Sequence, residues 1–130
     1  MISSIYLNMP VADLPASMKF FSDLGFTFKE KFTGEDSACL ILGPEMFAML
    51  SKVERFGQLT KTPVTKRGSN EFVISLGCES KEEVSRISEA AFAHGARRIT
   101  EPEDSGFMFS WGFEDLDGHL WDLFWMDPEQ

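Results

Sequence analysis

Asp122 stands inside a run of large apolar residues, Trp121-Asp122-Leu123-Phe124-Trp125-Met126. A carboxylate there is costly to bury unless a partner, water or a ligand meets it. If the run is a strand, alternation sets Asp122, Phe124 and Met126 on one face and Trp121, Leu123 and Trp125 on the other. Near the start of the chain, Tyr6 and Asn8 alternate in the same way with Ile5, Leu7 and Met9, and Ser75 and Ser110 also sit among apolar neighbours. A few polar groups in an aromatic, Met-rich concavity are what small-molecule sites look like. The expectation is a pocket in which Asp122 anchors a ligand hydroxyl or amine, or acts as a base.

The other residue types that carry chemistry point elsewhere. His94 falls in the last turn of a predicted helix, where an imidazole suits the negative end of the dipole, and His119 follows Gly118 in a turn. Both read as structural rather than as metal ligands. No Ser-His-Asp or Cys-His arrangement can be read from the spacing, and no Gly-rich phosphate loop is present. Cys39 and Cys78 lie far apart inside apolar runs and read as reduced, buried small hydrophobes.

The elements that must position these residues come in a repeated order. Ile2 to Val11 is extended; Asp13 caps a helix with Leu14, Met18, Phe21 and Leu24 on one side, ended by Gly25. Strands are expected over 26–32, 38–42 and 46–51, with turns at Gly34-Glu35-Asp36 and Gly43-Pro44. A polar stretch, Lys52 to Asn70, breaks the pattern. The order then returns: a strand over 72–78, a helix opened by the capping box Ser80-Lys81-Glu82-Glu83 and stopped at His94-Gly95, and strands over 97–100, 107–113 and 119–126. Asp13 matches Ser80, Gly25 matches Gly95 and Gly43 matches Gly118, at offsets of 67, 70 and 75 residues. Matched marks at nearly constant offset indicate a duplicated βαβββ module.

Two stretches carry a family resemblance. Val11-Ala12-Asp13-Leu14-Pro15-Ala16-Ser17, followed by Phe20-Phe21 and Leu24-Gly25-Phe26, stands at the front; Phe113-Glu114-Asp115-Leu116-Asp117-Gly118-His119-Leu120-Trp121-Asp122 stands near the end. Together they resemble the vicinal-oxygen-chelate superfamily of glyoxalases, bleomycin-resistance proteins and extradiol dioxygenases. The resemblance covers essentially the whole chain. It implies an α+β fold in one domain, with module one at 1–52, a connecting loop at 53–70 and module two at 71–130. The two tandem βαβββ modules are expected to form an open, curved mixed-sheet barrel with helices outside and a cavity between the halves. Members hold a divalent metal with His, Glu or Gln at up to four cavity-facing strand positions. Carried over, these fall on Tyr6, Ala48, Val73 (or Ile74) and Asp122, of which only Asp122 is a normal ligand type.

The resemblance therefore implies a small-molecule-binding protein with no metal or other cofactor expected. Its ligand-binding candidates are Tyr6, Asn8, Ala48, Val73, Ser75, Ser110, Asp122 and Phe124. The alternative is a metal-dependent lyase, isomerase or dioxygenase using Asp122 as a residual ligand or base. A weaker third possibility is a module acting through a protein partner. Relatives often complete a site with a second chain, so a homodimer is expected, its contact drawing on Trp111, Trp121 and Trp125.

Composition sets the outer bounds. The 130 residues, 43% hydrophobic and 13% aromatic, suffice for a core without staples. Acidic residues outnumber basic ones 21 to 12, a net charge of −9 that disfavours nucleic acid and anionic membranes as partners. Met1-Ile2-Ser3-Ser4 has no basic region and no long apolar stretch, so a cytoplasmic location is expected. Lys52, Arg55, Lys61, Lys66 and Arg67 gather in the connecting stretch. They either draw an anion to the cavity mouth or decorate a solvated linker, and Phe56 and Leu59 either form a lid or do not.

Overall fold

A computed structural model of the chain describes residues 1–60, 70 and 72–129. They form two compact units, Met1–Thr65 and Lys66–Gln130.

The first unit runs β1 (Ile5–Val11), α1 (Leu14–Asp23), β2 (Thr27–Phe28), a 3-10 turn (Glu30–Phe32), β3 (Ser37–Gly43), β4 (Met46–Lys52) and α2 (Val53–Thr60). The strand order is β1-β4-β3-β2, with β1 parallel to β4 and the other pairs antiparallel. Helix α1 starts because Asp13 is extended and its carboxylate accepts the Ala16 amide at 3.1 Å. It ends at Leu24, with Gly25 at φ 101° turning the chain away. Its buried residues Leu14, Phe20 and Phe21 meet Ala38, Leu40, Ala48 and Leu50 on one face of the sheet. Each large side chain so buried contributes about 1.5–3 kcal/mol of transfer free energy.

The second unit repeats the plan with β5 (Ile74–Gly77), α3 (Lys81–Ala93), β6 (Arg97–Arg98), β7 (Glu103–Asp104), β8 (Met108–Glu114) and β9 (Leu120–Met126). The order is β5-β9-β8-β6, with β7 also paired to β8 and β5 parallel to β9. Ser80 caps α3 by accepting the Glu83 amide at 3.1 Å. The Glu83 carboxylate reaches one residue further back than a capping box requires, to the Glu79 amide at 2.9 Å. Val84, Ile87 and Ala91 of α3 pack over Trp111, Phe113, Trp121 and Leu123. The fold is α+β with two mixed sheets, neither closed.

Several elements differ from expectation. The stretch after β4 is not all loop: Val53–Thr60 is helix α2, packed on β1 and β4. Val53, Phe56 and Thr60 recur at helical spacing, and no proline intervenes before Pro63. The basic residues Lys61, Lys66 and Arg67, and the lid or linker beyond α2, lie outside the described residues. β2 closes after two residues because the chain tightens into the 3-10 turn at Glu30. An additional short strand, β7, adds to β8 from Glu103-Asp104, a dipeptide with no apolar alternation to announce it. Trp111 and Trp121 are buried beneath α3 of their own chain, so they are not a face awaiting a partner. Among the described residues no helix is long and apolar enough to cross a membrane.

Candidate functional site

The face of the second sheet opposite α3 carries the residues singled out from the sequence. Strand register sets Ser75 beside Asp122 and Gly77 beside Phe124. Across the β8–β9 hairpin it sets Gly112 opposite Asp122 and Ser110 opposite Phe124, with Glu103 of β7 next to Ser110. The Ser75 hydroxyl donates to Asp122 Oδ2 at 3.2 Å. Phe124 lies across Gly77, where a Cβ would come within 3.2 Å of the ring. Asp122, Ser110 and Phe124 are half-buried and Ser75 is exposed, so this face is open yet partly shielded.

Gly112 makes the room beside the carboxylate. A Cβ at this position would stand 2.4 Å from the Trp121 carbonyl oxygen and 3.2 Å from Asp122 Cα, so no side chain is tolerated opposite Asp122. The hairpin register is set by Asp115, buried at 3% exposure. Its Oδ1 accepts the amides of Asp117 (2.9 Å) and His119 (3.0 Å), and its Oδ2 accepts the Trp121 indole N–H (2.9 Å). Gly118 follows at φ 88°, the left-handed residue this turn requires. His119 thus serves the turn, and His94 Nδ1 lies 2.8 Å from the Ala90 carbonyl at the end of α3. Glu114 ends β8, buried at 5%, with Arg97 at 3.2 Å.

Burial raises the Asp122 pKa above the ordinary aspartate value; the Ser75 hydrogen bond opposes that rise and the negative charge of Glu103 adds to it. Desolvation and a like charge both disfavour the carboxylate, whereas a donor to it stabilises it. Three outcomes follow for a carbon-detected NMR titration of Asp122. Its midpoint lies above that of a free aspartate, Ser75→Ala raises it further and Glu103→Gln lowers it. Because the folded-state pKa is raised, Asp122 contributes stability below the unfolded value near ~3.9 and loses it as pH rises through the folded value. Asp122→Asn is accordingly expected to be mildly stabilising at neutral pH. A midpoint unmoved by both substitutions would contradict this electrostatic account.

The first sheet holds the remaining candidates, with two corrections. Tyr6 and Asn8 share the face opposite α1 with Phe47 and Met49, their register partners on β4. Tyr6 stacks on Phe47, with centroids 4.7 Å apart. Ala48 is on the other face, fully buried and paired with Leu7. The period of two in a strand puts the carried-over position on Phe47 instead. The Gly43–Gly118 offset already held this signal, since Asp122 shifted by that interval lands on Phe47. Val73 is exposed and precedes β5, while Ile74 is buried beside Trp121. Ser75, paired to Asp122 as Tyr6 is to Phe47, takes the equivalent place.

Neither sheet fits a catalytic divalent ion at these positions. The first offers a phenol and a phenyl ring and the second an aliphatic hydroxyl and one carboxylate, where such sites use about three imidazole, carboxylate or thiolate ligands. Among the described residues no three His, Cys, Asp or Glu side chains converge on a common point.

Comparison with known proteins gives a consistent result. A family model described as Glyoxalase/Bleomycin resistance protein/Dioxygenase superfamily matches residues 4–123. No curated protein sequence matches. Among solved structures, the hypothetical protein SA1046 from S. aureus is similar at 27% identity and TM-score 0.82, covering 95% of this chain and 94% of its own. A glyoxalase/bleomycin resistance protein/dioxygenase family enzyme from Burkholderia phytofirmans PsJN superposes with TM-score 0.75 at 18% identity, covering 93% and 96%. The fosfomycin resistance protein FosX from Listeria monocytogenes does so with TM-score 0.71 at 20% identity, covering 99% and 98%. At those last two identities the likeness is one of fold. With its family model matched over nearly its full length, this chain belongs to the glyoxalase/bleomycin resistance protein/dioxygenase superfamily.

Proposed function

We propose that the protein binds a small amphipathic molecule on the open face of its second sheet, without a complete metal site. The observation that carries this reading is the Ser75–Asp122 pair: a half-buried carboxylate with a raised pKa, on an open face beside Phe124 and opposite a glycine that must stay bare. Such a carboxylate accepts a hydrogen bond from a ligand hydroxyl or pairs with an amine, while Phe124 and Met126 supply apolar contact. Catalysis as a metal-dependent lyase, isomerase or dioxygenase is the second reading, favoured only by the raised pKa of Asp122, which suits a base.

A thermal-shift screen of amines, alcohols and acids on matched carbon skeletons tests the first reading. Stabilisation by members of the amine or alcohol set, abolished by Asp122→Asn, is expected; a screen with no Asp122-dependent hit would sink it. Elemental analysis after purification without added metal separates the two readings. Substoichiometric metal is expected, and one tightly held zinc, nickel, manganese or iron per chain, lost on Asp122→Ala, would favour the enzyme.

The free thiols of Cys39 and Cys78 suit a reducing compartment, and cytoplasmic residence is part of the proposal. So is a homodimer, supported by the exposed Ile5, Met46, Phe72 and Met126 and by β1 and β5 ending their sheets. Sedimentation showing only monomer at micromolar concentration would defeat it.

A further inference from the structure

We infer that Glu103 is a specificity-determining residue of the Asp122 face, making it choose a primary ammonium with an apolar body over the matching alcohol or acid. This rests on the ligand-binding reading above and narrows it to one chemical class. Register puts Glu103 beside Ser110, Ser110 beside Phe124, and Gly112 beside Asp122 in the next row. The two carboxylates therefore share a face, on strands two spacings or roughly 10 Å apart. Between them β8 presents only the Ser110 hydroxyl and the bare Gly112, so no bulky side chain fills the ground that separates the acids.

The direction of Glu103 is set by its neighbour. β7 is two residues long, so one side chain goes to each face of the sheet. Asp104, paired with Phe109, goes to the α3 side, where Lys81 Nζ lies 3.2 Å from its Oδ2. Lys81 also lies 5.4 Å from the Trp125 ring centroid, on that same side. Asp104 Oδ1 accepts the Gly106 amide at 2.9 Å, and the Ser105 amide donates to the Met108 carbonyl at 3.0 Å, closing the turn that lays β7 along β8. With Asp104 held by the helix, Glu103 is left to the opposite face, where Asp122 stands.

Two carboxylates on one face favour a cation and repel an anion. Among the described residues no Lys, Arg or His pairs with Glu103, which is exposed. Its charge reaches Asp122, where it adds to the rise in the aspartate pKa. A ligand cation between the two reverses that unfavourable contact. An ammonium carries three N–H donors, enough to meet Asp122 and the Ser110 hydroxyl with Glu103 closing the far side, whereas an alcohol carries one. Phe124 and Met126, on the same face, take the apolar body.

Calorimetric titration and amide chemical-shift mapping with 2-phenylethylamine, 2-phenylethanol and phenylacetate test the inference. The three probes share a ring and a short chain and differ in charge. The amine is expected to bind most tightly, shifting amides of residues 103, 110–112 and 122–124. Glu103→Gln should cut the ratio of amine to alcohol affinity about three- to fivefold at low ionic strength, the scale of one partly screened ion pair, and less as salt is added. Glu103→Asp should keep part of the preference. Glu89→Gln, which removes an exposed carboxylate of α3 across the sheet, should leave the ratio unchanged. An alcohol bound as tightly as the amine, or a ratio untouched by Glu103→Gln or cut equally by Glu89→Gln, would overturn the inference, while any binding lost in Asp122→Asn would keep the function proposed above. Amine binding that needs Glu103 and not Asp122 would defeat that function and leave the cation preference standing. Binding of none of the three up to about 10 mM, a Kd beyond any specific site, would overturn both.

Discussion

Asp115→Ala is expected to lower unfolding free energy by about 3 kcal/mol, because it strands buried donors and leaves a cavity beneath the hairpin. Three N–H groups converge on this one carboxylate, and the Trp121 indole it holds is 1% exposed. With Asp115 gone, the buried indole regains no water without opening the β8–β9 hairpin, and the two part-buried turn amides lose their acceptor. Burial raises the Asp115 pKa; the nearby His119 imidazole and then the N–H donors oppose that rise. Asp115→Asn should therefore cost less than alanine, since one carboxamide oxygen still accepts, though its NH2 faces donors. Urea denaturation of the two variants measures this. Equal stability of wild type and Asp115→Ala would mean that the turn is held by its backbone alone. The functional consequence is positional: the same turn sets the register that brings Asp122 opposite Gly112.

The second large effect is expected at Gly112→Ala. A methyl group there would meet a backbone carbonyl oxygen at 2.4 Å, which cannot move without parting β8 from β9. The cost is expected to reach about 3 kcal/mol, at the upper end for overpacking because the obstacle is main chain rather than a flexible side chain. Ser110→Ala, two residues away on the same face, removes only a half-buried hydroxyl and should cost under about 1 kcal/mol. Denaturation midpoints of the pair compare them directly. If Gly112→Ala is as mild as Ser110→Ala, the strands are looser here than described. Any ligand that Asp122 holds should also lose affinity in Gly112→Ala, as the strand shifts away from it.

The duplicated plan, the caps and the hairpin turn were legible in the residues because each rests on short-range physics. Asp13 and Ser80 accept amides three residues on, Gly25, Gly95 and Gly118 take positive φ that most side chains resist, and helical spacing marks the buried stripes of α1 and α3. Alternation also placed Asp122 and Phe124 together on one face, and Tyr6 and Asn8 on another. Helix α2 was hidden because its polar residues outweigh a thin apolar stripe, and its stability draws on contact with β1 and β4.

Register across strands was decided elsewhere. A one-residue slip moves a side chain through the sheet, and local pattern cannot choose between Phe47 and Ala48 when both are apolar, or among Val73, Ile74 and Ser75. Hydrogen bonding of β4 to β1, and of β9 to β5, makes that choice and gives Asp122 the hydroxyl of a residue 47 positions away. Glu103 became relevant in the same way, carried to Ser110 on a strand with no sequence signature. Chain-local forces decide which residues form strands and helices and where these stop. Which side chains face one another, and so what the protein can bind, depends on contacts between segments far apart in the chain, where the free energy of packing and pairing outweighs any preference a residue has alone.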